Sequence, residues 1–235
     1  MIEFRDASVT AAASGARILE PTTLSLNERR VSIIGANGSG KSTLARLING
    51  LAIPTTGSVV INGHDTVKDG SAVRRDVGFL FTDPSSQLIM PTAIEDVALS
   101  LRRSISNGEK RSEAARSALA AVGLAEHANV SVHALSGGQR QLLALAGVLA
   151  IGPSILVADE PTTLLDIFWR HHVDTLLESL PHQVILVTHD LEAAARAERT
   201  LVLDRARVVF DGIATDAVAM YRELMAKRTT GNGSD

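Results

Sequence analysis

The sequence predicts an α/β fold with a mainly parallel sheet core, an antiparallel β edge and an inserted helical subdomain. Short runs rich in Val, Ile and Leu alternate with helical patterns, as in βαβ units. A glycine-rich loop joins one of these runs to a helix, and strand patterns disappear between about residues 83 and 152. A chain of 235 residues is long enough for one domain with two lobes.

Two kinds of segment have the pattern of β-strands. Runs without apolar–polar alternation predict strands that are buried on both faces of a parallel sheet. These are residues 30–34, 77–81, 155–158, 184–188 and 200–203. Segments bounded by glycines predict the antiparallel edge. These are residues 2–5, 59–62 and 207–210.

The helical subdomain divides the predicted domain in sequence. We expect one domain over residues 1–228, with a sheet-containing lobe from about 1–82 and 153–228 and a helical lobe from about 83–152. Thr92 and Glu95 have the spacing of a capping box that begins one helix. Residues 229–235 are polar and contain glycine, which predicts a disordered tail.

The composition disfavours several classes of protein. Aromatic residues make up 3% of the chain and the net charge is -3, which disfavours nucleic acid as a partner. The absence of cysteine excludes disulfides and thiolate metal sites. The first residues lack a signal-peptide pattern. Gly152-Pro153-Ser154 interrupts the uncharged run 142–158, so we expect no membrane span.

A phosphate-binding pattern follows the predicted strand at residues 30–34. The segment Gly35-Ala36-Asn37-Gly38-Ser39-Gly40-Lys41-Ser42 matches G-x-x-x-x-G-K-[ST], and Thr43, a further candidate phosphate contact, begins the helical run that follows. Its glycines allow backbone N–H groups to face phosphates, and the helix N-terminus adds partial positive charge. In this pattern Lys41 reaches the β- and γ-phosphates and the Ser42 hydroxyl ligates Mg²⁺. A chance glycine-rich turn would not explain the strand, loop and helix in this order.

Two adjacent carboxylates, Asp159 and Glu160, end the predicted strand that begins at residue 155. Neighbouring residues of a strand point to opposite faces, so the two carboxylates cannot share one task. After a phosphate-binding loop, we expect Asp159 to hold Mg²⁺ and Glu160 to polarise an attacking water. An ordinary strand end with solvated acids is the alternative.

The segment from residue 135 to 139, which we call the signature segment, reads Leu135-Ser136-Gly137-Gly138-Gln139. Ser136 and Gln139 have capping-box spacing, and two glycines expose the amides of a helix N-terminus. This is a second anion-binding device. One nucleotide needs only one such device, so we expect this one to serve ATP that another chain holds, whereas a simple helix cap is the alternative.

On these residues, with Asp166 and Thr188-His189-Asp190, the sequence resembles the ATP-binding subunits of ABC transporters over nearly its whole length. The resemblance implies a P-loop NTPase fold whose sheet-containing lobe is RecA-like. It also implies that two subunits enclose two ATP molecules, each signature segment capping ATP of the opposite chain. His189 would contact the γ-phosphate and position water, and Asp166 would join the nucleotide site.

A narrower resemblance is carried by residues 81–97, which are similar to the ATPases of energy-coupling-factor (ECF) importers, above all those for biotin. One complete set of motifs allows two equivalent sites, so we expect a homodimer, with a dimer with a related ATPase as the alternative. A transmembrane coupling protein and a substrate-binding membrane protein would be its partners, at the cytoplasmic face of the inner membrane. Another vitamin, or cobalt or nickel, is the alternative cargo. An ABC ATPase acting on DNA or ribosomes, or a phosphotransferase using the same loop, is less favoured.

The sequence departs from the ABC pattern at two places. Thr82 occupies the position where the family usually has a glutamine that reaches magnesium and the γ-phosphate. Thr82 and Gln87 are therefore the two candidates for this metal contact. Of the two, we expect that Gln87 does not ligate the metal and lies on a partner-facing helix. No aromatic residue occurs at residues 9–13 to stack on adenine, so Arg17 or Ile18 is the candidate to cover the ring.

Overall fold

The computed structural model describes residues 1–231 and forms two compact units. Unit 1 contains residues 1–74 and the chain from residue 183 onward, and unit 2 contains residues 75–182. The boundaries between the two units lie at other positions in the chain than the boundaries between the two predicted lobes. The two strands nearest the helical region pair with each other and pack with its helices, so they group with unit 2. No helix among residues 1–231 has the length and apolar character needed to cross a bilayer.

Strands and helices alternate along most of the chain. The strands are β1 (Ile2–Thr10), β2 (Arg17–Leu26), β3 (Arg30–Gly35), β4 (Thr56–Ile61), β5 (His64–Asp65), β6 (Val77–Leu80), β7 (Ile155–Asp159), β8 (Gln183–Val187), β9 (Arg199–Asp204) and β10 (Arg207–Gly212). The helices are α1 (Lys41–Asn49), α2 (Gly70–Asp76), α3 (Ala93–Ser100), α4 (Gly108–Ala121), α5 (Gly137–Leu149), α6 (Ile167–Ser179), α7 (Leu191–Ala195) and α8 (Ala214–Gly231).

Unit 1 contains both kinds of sheet that the sequence predicts. Strands β2, β1, β4 and β5 form an antiparallel sheet in that order. Strand β3 runs parallel to β8 and to β9, and β10 pairs antiparallel with β9. Parallel β3 and β8 therefore end at the same edge, which is where ligands of α/β proteins bind.

Strand β2 is a strand that the sequence analysis missed. It contains Pro21, which lacks a backbone N–H and argues against a central strand. The structure places β2 at the edge of the antiparallel sheet, where the missing N–H costs no ladder hydrogen bond. The short β5, at the opposite edge of that sheet, was also missed.

Unit 2 combines the parallel pair β6 and β7 with helices α3 to α6. Between β6 and β7 the described chain forms helices, 3-10 turns and loops, and its strand-like pairing is one isolated bridge, Thr92 with Ser131. The predicted capping box is confirmed, because Glu95 accepts a hydrogen bond from the Thr92 amide at 3.1 Å and the Thr92 side chain bonds the amide of Glu95. The uncharged run breaks as predicted, with α5 ending at Leu149 and β7 beginning at Ile155.

The C-terminal helix extends farther than the sequence predicts. Helix α8 continues through Gly231 and so includes residues 229–231 of the predicted tail, whose other residues lie outside the described residues. Once a helix has formed, each added residue needs only one further hydrogen bond, which favours this extension. Ala217 and Val218 of α8 pack in one core cluster with Ile34 and Val202. Helix α8 thus supports the strand that leads into the glycine-rich loop.

Candidate nucleotide site

The phosphate-binding loop of unit 1 connects β3 to α1 and depends on two glycines. Gly35 has φ 152° and Gly40 has φ 102°. A Cβ atom at Gly35 would lie 2.2 Å from the Leu203 carbonyl oxygen, and one at Gly40 would lie 2.7 Å from that of Ile18. Both distances are far below van der Waals contact with backbone, so any larger residue would displace the loop.

Lys41 begins α1 and is held against the loop. Its Nζ donates to the carbonyl oxygens of Gly35 at 2.8 Å and Ala36 at 3.1 Å, and the residue is only 6% exposed. Gly40, the N-cap of α1, has no side chain to bond the amides of the first turn, and no acidic residue lies there. The first-turn amides around Ser42 and Thr43 therefore suit an anion.

A hairpin between β9 and β10 supports the loop from outside. The Ala206 amide donates to the Ser39 carbonyl at 3.1 Å, and the Glu20 amide donates to the Ala206 carbonyl at 2.8 Å. Arg205 and Ala206 have φ values of 45° and 66°, as a two-residue hairpin turn requires. The phosphate-binding loop is therefore tied by main-chain bonds to a rigid turn.

A cavity of about 270 Å³ lies beside the loop. Its lining residues are Ala36, Asn37, Gly38, Ser39, Asp204, Arg205 and Arg228. Arg228 of α8 donates to both carboxylate oxygens of Asp204, at 2.5 and 2.6 Å. No sequence motif marked the two arginines, which reach the loop only through the hairpin and the packing of α8.

His189 follows β8, the strand paired in parallel with β3. The Thr188 amide donates to the Ile33 carbonyl at 3.1 Å, and His189 itself is exposed. The structure thus brings His189 and the phosphate-binding loop to the same edge of the sheet of unit 1. Asp190 then caps α7 by accepting hydrogen bonds from the amides of Glu192 at 2.9 Å and Ala193 at 3.1 Å.

The candidate residues for covering adenine lie in the same unit. Arg17 and Ile18 begin β2, and the Ile18 carbonyl oxygen is the atom that a Cβ at Gly40 would meet. Arg17 is exposed and lies 3.8 Å from the carboxylate of Glu20. The start of β2 is therefore next to the last glycine of the phosphate-binding loop.

Asp159 and Glu160 have different surroundings within unit 2. Asp159 is the last residue of β7 and is 3% exposed. Glu160 has φ 53°, a left-handed conformation that costs a non-glycine residue about 1–3 kcal/mol. Its Oε2 accepts a hydrogen bond from the Thr163 hydroxyl at 2.9 Å. Strain of this kind is concentrated at functional sites.

Thr82 and Gln87, the two candidate metal ligands, both bond to nearby backbone. The Thr82 hydroxyl donates to the Asp159 carbonyl at 2.7 Å, and Gln87 Oε1 accepts from the Phe81 amide at 3.1 Å. The expectation that Gln87 lies on a partner-facing helix is wrong, because Gln87 is at the end of the short 3-10 turn Pro84–Ser86. Its carboxamide bonds back to Phe81 because that turn reverses the chain.

The signature segment forms the N-terminus of α5 in unit 2. Its predicted capping box is confirmed: the Gln139 amide donates to Ser136 Oγ at 3.2 Å, and the Ser136 amide donates to Gln139 Oε1 at 2.8 Å. A Cβ at Gly138 would lie 2.1 Å from Trp169, whereas one at Gly137 would meet nothing within 4 Å. Gly137 thus leaves the helix N-terminus open, and Gly138 gives room to an indole ring that sequence reasoning did not connect with it.

Asp166 is the N-cap of α6, and its Oδ1 accepts a hydrogen bond from the Trp169 amide at 2.9 Å. The adjacent Ile167 and Phe168 are 84% and 70% exposed. Leu164, on the other side of Asp166, is also exposed. Asp166 therefore lies in an apolar, solvent-facing segment that the sequence analysis did not single out.

A glycine-rich loop between a parallel strand and a helix N-terminus defines a P-loop nucleotide-binding protein. The family profile that matches is that of the ABC transporter, over residues 19–163. The chain belongs to the ABC transporter family and is an ATP-binding ATPase subunit. The predicted P-loop fold and the resemblance to ABC ATP-binding subunits are both confirmed.

Within this family, the chain is similar to ATP-binding proteins of biotin and energy-coupling factor transporters. The chain is 46% identical to the biotin transport ATP-binding protein BioM of Rhizobium etli, covering 96% of this chain and 99% of the relative. It is 38% identical to BioM of Rhodobacter capsulatus, covering 92% and 93%. It is also 38% identical to the energy-coupling factor transporter ATP-binding protein EcfA1 of Halalkalibacterium halodurans, covering 77% and 67%.

Solved structures agree with this similarity. CbiO1 from Clostridium perfringens, part of the ABC transporter complex cbiONQ, superposes with a TM-score of 0.82 at 26% identity, over 96% of this chain and 93% of that one. The ATP-binding cassette MJ0796, a dimer bound to ADP and Pi in a post-hydrolysis state, has a TM-score of 0.81 at 33% identity, over 91% and 99%.

Proposed function

We propose that the chain is the ATP-hydrolysing motor of an ECF-type importer, and that the imported vitamin is biotin. The observation that carries the proposal is the 46% identity to a biotin transport ATP-binding protein over 96% of this chain and 99% of that one. The similarity to an energy-coupling factor ATPase supports the importer type. Another vitamin, or cobalt or nickel, is the alternative cargo.

We assign the phosphate site to the loop of unit 1, and the geometry of that loop supports the assignment. Gly35 to Thr43 bind the phosphates with backbone amides, and Lys41, held at the loop by two carbonyls, binds the β- and γ-phosphates. Exposed His189, at the same edge of the sheet, contacts the γ-phosphate.

Glu160 is the residue we assign to polarising the attacking water, and Asp159 and Ser42 are the Mg²⁺ ligands. A carboxylate and a hydroxyl are the hard oxygen donors that Mg²⁺ prefers, and the sheltered Asp159 suits a ligand more than a solvated acid. The ion neutralises charge on the phosphates when it is bound. Thr82, whose hydroxyl donates to backbone, is not assigned to the metal.

The signature segment is the basis for proposing a dimer. Its helix N-terminus is open at Gly137, so Ser136, Gly137, Gly138 and Gln139, with Asp166, bind ATP held by the partner. One chain has a complete set of motifs, which favours a homodimer over a dimer with a related ATPase. The structurally similar MJ0796 cassette is dimeric. A transmembrane coupling protein and a substrate-binding membrane protein would hold this dimer at the cytoplasmic face of the inner membrane.

Uptake by a reconstituted complex tests the function. The chain is co-expressed with the membrane proteins that co-purify with it, and the complex is placed in liposomes with ATP and labelled biotin. We expect ATP-dependent accumulation that Glu160→Gln abolishes, with Glu113→Gln, an exposed substitution on α4, as the matched control. Uptake of another vitamin, cobalt or nickel instead would overturn the cargo. Co-sedimentation with ribosomes or DNA, without membrane partners, would overturn the importer.

A further inference from the structure

A chain of hydrogen bonds connects the signature helix α5 to the acidic end of β7. Gln141, two residues beyond the signature segment, is 1% exposed, and its Nε2 donates to the Phe81 carbonyl at 3.1 Å. The next residue, Thr82, donates its hydroxyl to the Asp159 carbonyl at 2.7 Å. Both bonds lie within unit 2. They link the helix that carries one proposed nucleotide contact to the strand that carries another.

These side-chain bonds begin where the β-ladder ends. The register of β6 and β7 runs from Val77 with Ile155 to Leu80 with Ala158. Beyond that pair, the Thr82 hydroxyl joins the two segments at Asp159. Gln87 Oε1 holds the Phe81 amide on the other side. The backbone at Phe81 is therefore held by side chains on both its N–H and its C=O group.

The carbonyl that Thr82 bonds has a particular place in the backbone. It belongs to the planar peptide that joins Asp159 to Glu160, and rotation of that plane is described in part by φ of Glu160. This angle is 53°, a strained value for glutamate. A hydrogen bond to the Asp159 carbonyl therefore opposes relaxation of the strained residue and fixes the direction in which its carboxylate leaves the backbone.

Within the part of the chain that the structure describes, the side-chain oxygen of Gln141 makes no hydrogen bond, although the side-chain nitrogen of the same residue does. Among the described residues, Gln141 Oε1 is buried and has no hydrogen-bond partner. A buried polar atom without a partner costs about 1–3 kcal/mol, so a glutamine at this position is a poor choice for stability alone. An apolar side chain of similar length would remove that cost. The Nε2 bond to Phe81 is the favourable interaction that the glutamine supplies in return.

We propose that Thr82 and Gln141 are positioning residues for ATP hydrolysis. Thr82 orients the peptide before Glu160, and Gln141 ties that arrangement to the helix of the signature segment. The proposal rests on the proposed role of Glu160. It assigns to Thr82 a task other than metal ligation, although the family usually has a metal-reaching glutamine at this position.

Thr82→Val tests the first half, because valine keeps the shape and removes the hydroxyl. ATPase assays of the purified protein should show kcat reduced by about 10- to 100-fold, as expected for a misplaced catalytic group. The KM for ATP and the Mg²⁺ concentration for half-maximal rate should stay near wild type, and the melting temperature should fall by no more than about 6 °C, since one hydrogen bond is lost. Thr82→Ser should restore kcat to within about threefold, since it returns the hydroxyl. Thr175→Val, which removes a hydroxyl bonded to the His171 carbonyl within α6, is the matched control.

Several results would overturn the role of Thr82. A raised Mg²⁺ requirement in Thr82→Val would show that Thr82 is a metal ligand. An unchanged kcat, or a serine variant as slow as the valine variant, would show that the hydroxyl does not position Glu160. A fall in melting temperature that accounts for the lost rate, and that serine does not reverse, would show a structural role only.

Gln141→Met tests the second half, because methionine fills similar space without polar atoms. We expect an equal or higher melting temperature and a kcat lowered at least several-fold. In the double variant with Thr82→Val, the losses should be less than multiplicative, since both residues act on one arrangement. Fully multiplicative losses, or a lower melting temperature with an unchanged kcat, would overturn the link to α5. Glu160→Gln, measured in the same assay, distinguishes failure of this proposal from failure of the proposed function. Full activity of Glu160→Gln would refute the role of Glu160 itself.

Discussion

The phosphate-binding loop of unit 1 and the strand ends of unit 2 are held in shape by different means. The loop is held by backbone: positive φ angles at Gly35 and Gly40 and a main-chain bond from Ala206 to Ser39. The ends of β6 and β7 are held by side chains, with Thr82 and Gln141 bonding carbonyls far away in sequence. The loop therefore has no room for a Cβ at Gly35 or Gly40, whereas the strand ends depend on particular polar groups.

This difference predicts how each region responds to substitution. Backbone cannot swing aside, so a Cβ placed against a carbonyl distorts the whole loop. A side chain can rotate, so a Cβ placed against a ring is partly accommodated. The predictions below test that order, from the largest expected effect to the smallest.

Gly35→Ala should have the largest effect. Its Cβ would lie 2.2 Å from the Leu203 carbonyl oxygen, so the loop must move. We expect ATP affinity, measured by calorimetry, to fall by at least about 100-fold, or about 2.7 kcal/mol. The control is Gly108→Ala at the first residue of α4, where a Cβ meets nothing within 4 Å and alanine favours the helix. Binding of ATP by Gly35→Ala within threefold of wild type would contradict a loop held by its backbone.

Gly138→Ala should have an intermediate effect. The Cβ would lie 2.1 Å from the Trp169 ring, and overpacking of this kind costs about 1–3 kcal/mol. The melting temperature should fall by about 2–4 °C for each kcal/mol, while Trp169→Leu in the same chain should recover most of the loss. Gly137→Ala, which has open space, is the control and should melt near wild type. Equal melting of the two alanine variants would refute this packing role of Gly138.

Arg228→Met should have a smaller effect. It removes the two hydrogen bonds to Asp204 beside the phosphate-binding loop, at a pair whose arginine is 33% exposed. We expect a loss of about 1 kcal/mol, seen as a melting temperature lower by about 2–4 °C. A double-mutant cycle with Asp204→Asn checks the pairing, because the second substitution should then cost almost nothing. Fully additive losses would show that the two side chains do not stabilise each other.

Glu28→Gln should have the smallest effect, and it should depend on pH. Burial acts to raise the pKa of Glu28, but hydrogen bonds from its own amide, from Asn27 and from Arg199 outweigh burial, so the pKa lies below its ordinary value. A lowered pKa stabilises the fold at pH values above about 4.3, and the contribution is lost as the pH falls through the folded-state value. Wild type should melt at most about 3 °C above the variant at pH 7 and equal to it in acid. A difference that persists in acid would contradict this.

Much of the fold could be read from the sequence because its signals are local. The phosphate-binding loop, the capping boxes at Thr92 and Ser136, and the buried strand runs all depend on residues a few positions apart. Strand β2 was missed because Pro21 is a local signal against a central strand, and only the sheet order reveals an edge. The reach of α8 was missed because a polar composition does not prevent helix propagation.

The sequence by itself determined the phosphate-binding pattern, since glycines, a lysine and a helix start lie at set offsets within one short segment. Only the tertiary structure decided what Thr82, Gln141 and Gly138 contact. A threonine hydroxyl or a glutamine amide can bond any nearby carbonyl, and a glycine can face any side chain. The pairing of β6 with β7 and the packing of α5 and α6 bring Asp159, Phe81 and Trp169 within reach, and local sequence does not encode those distances.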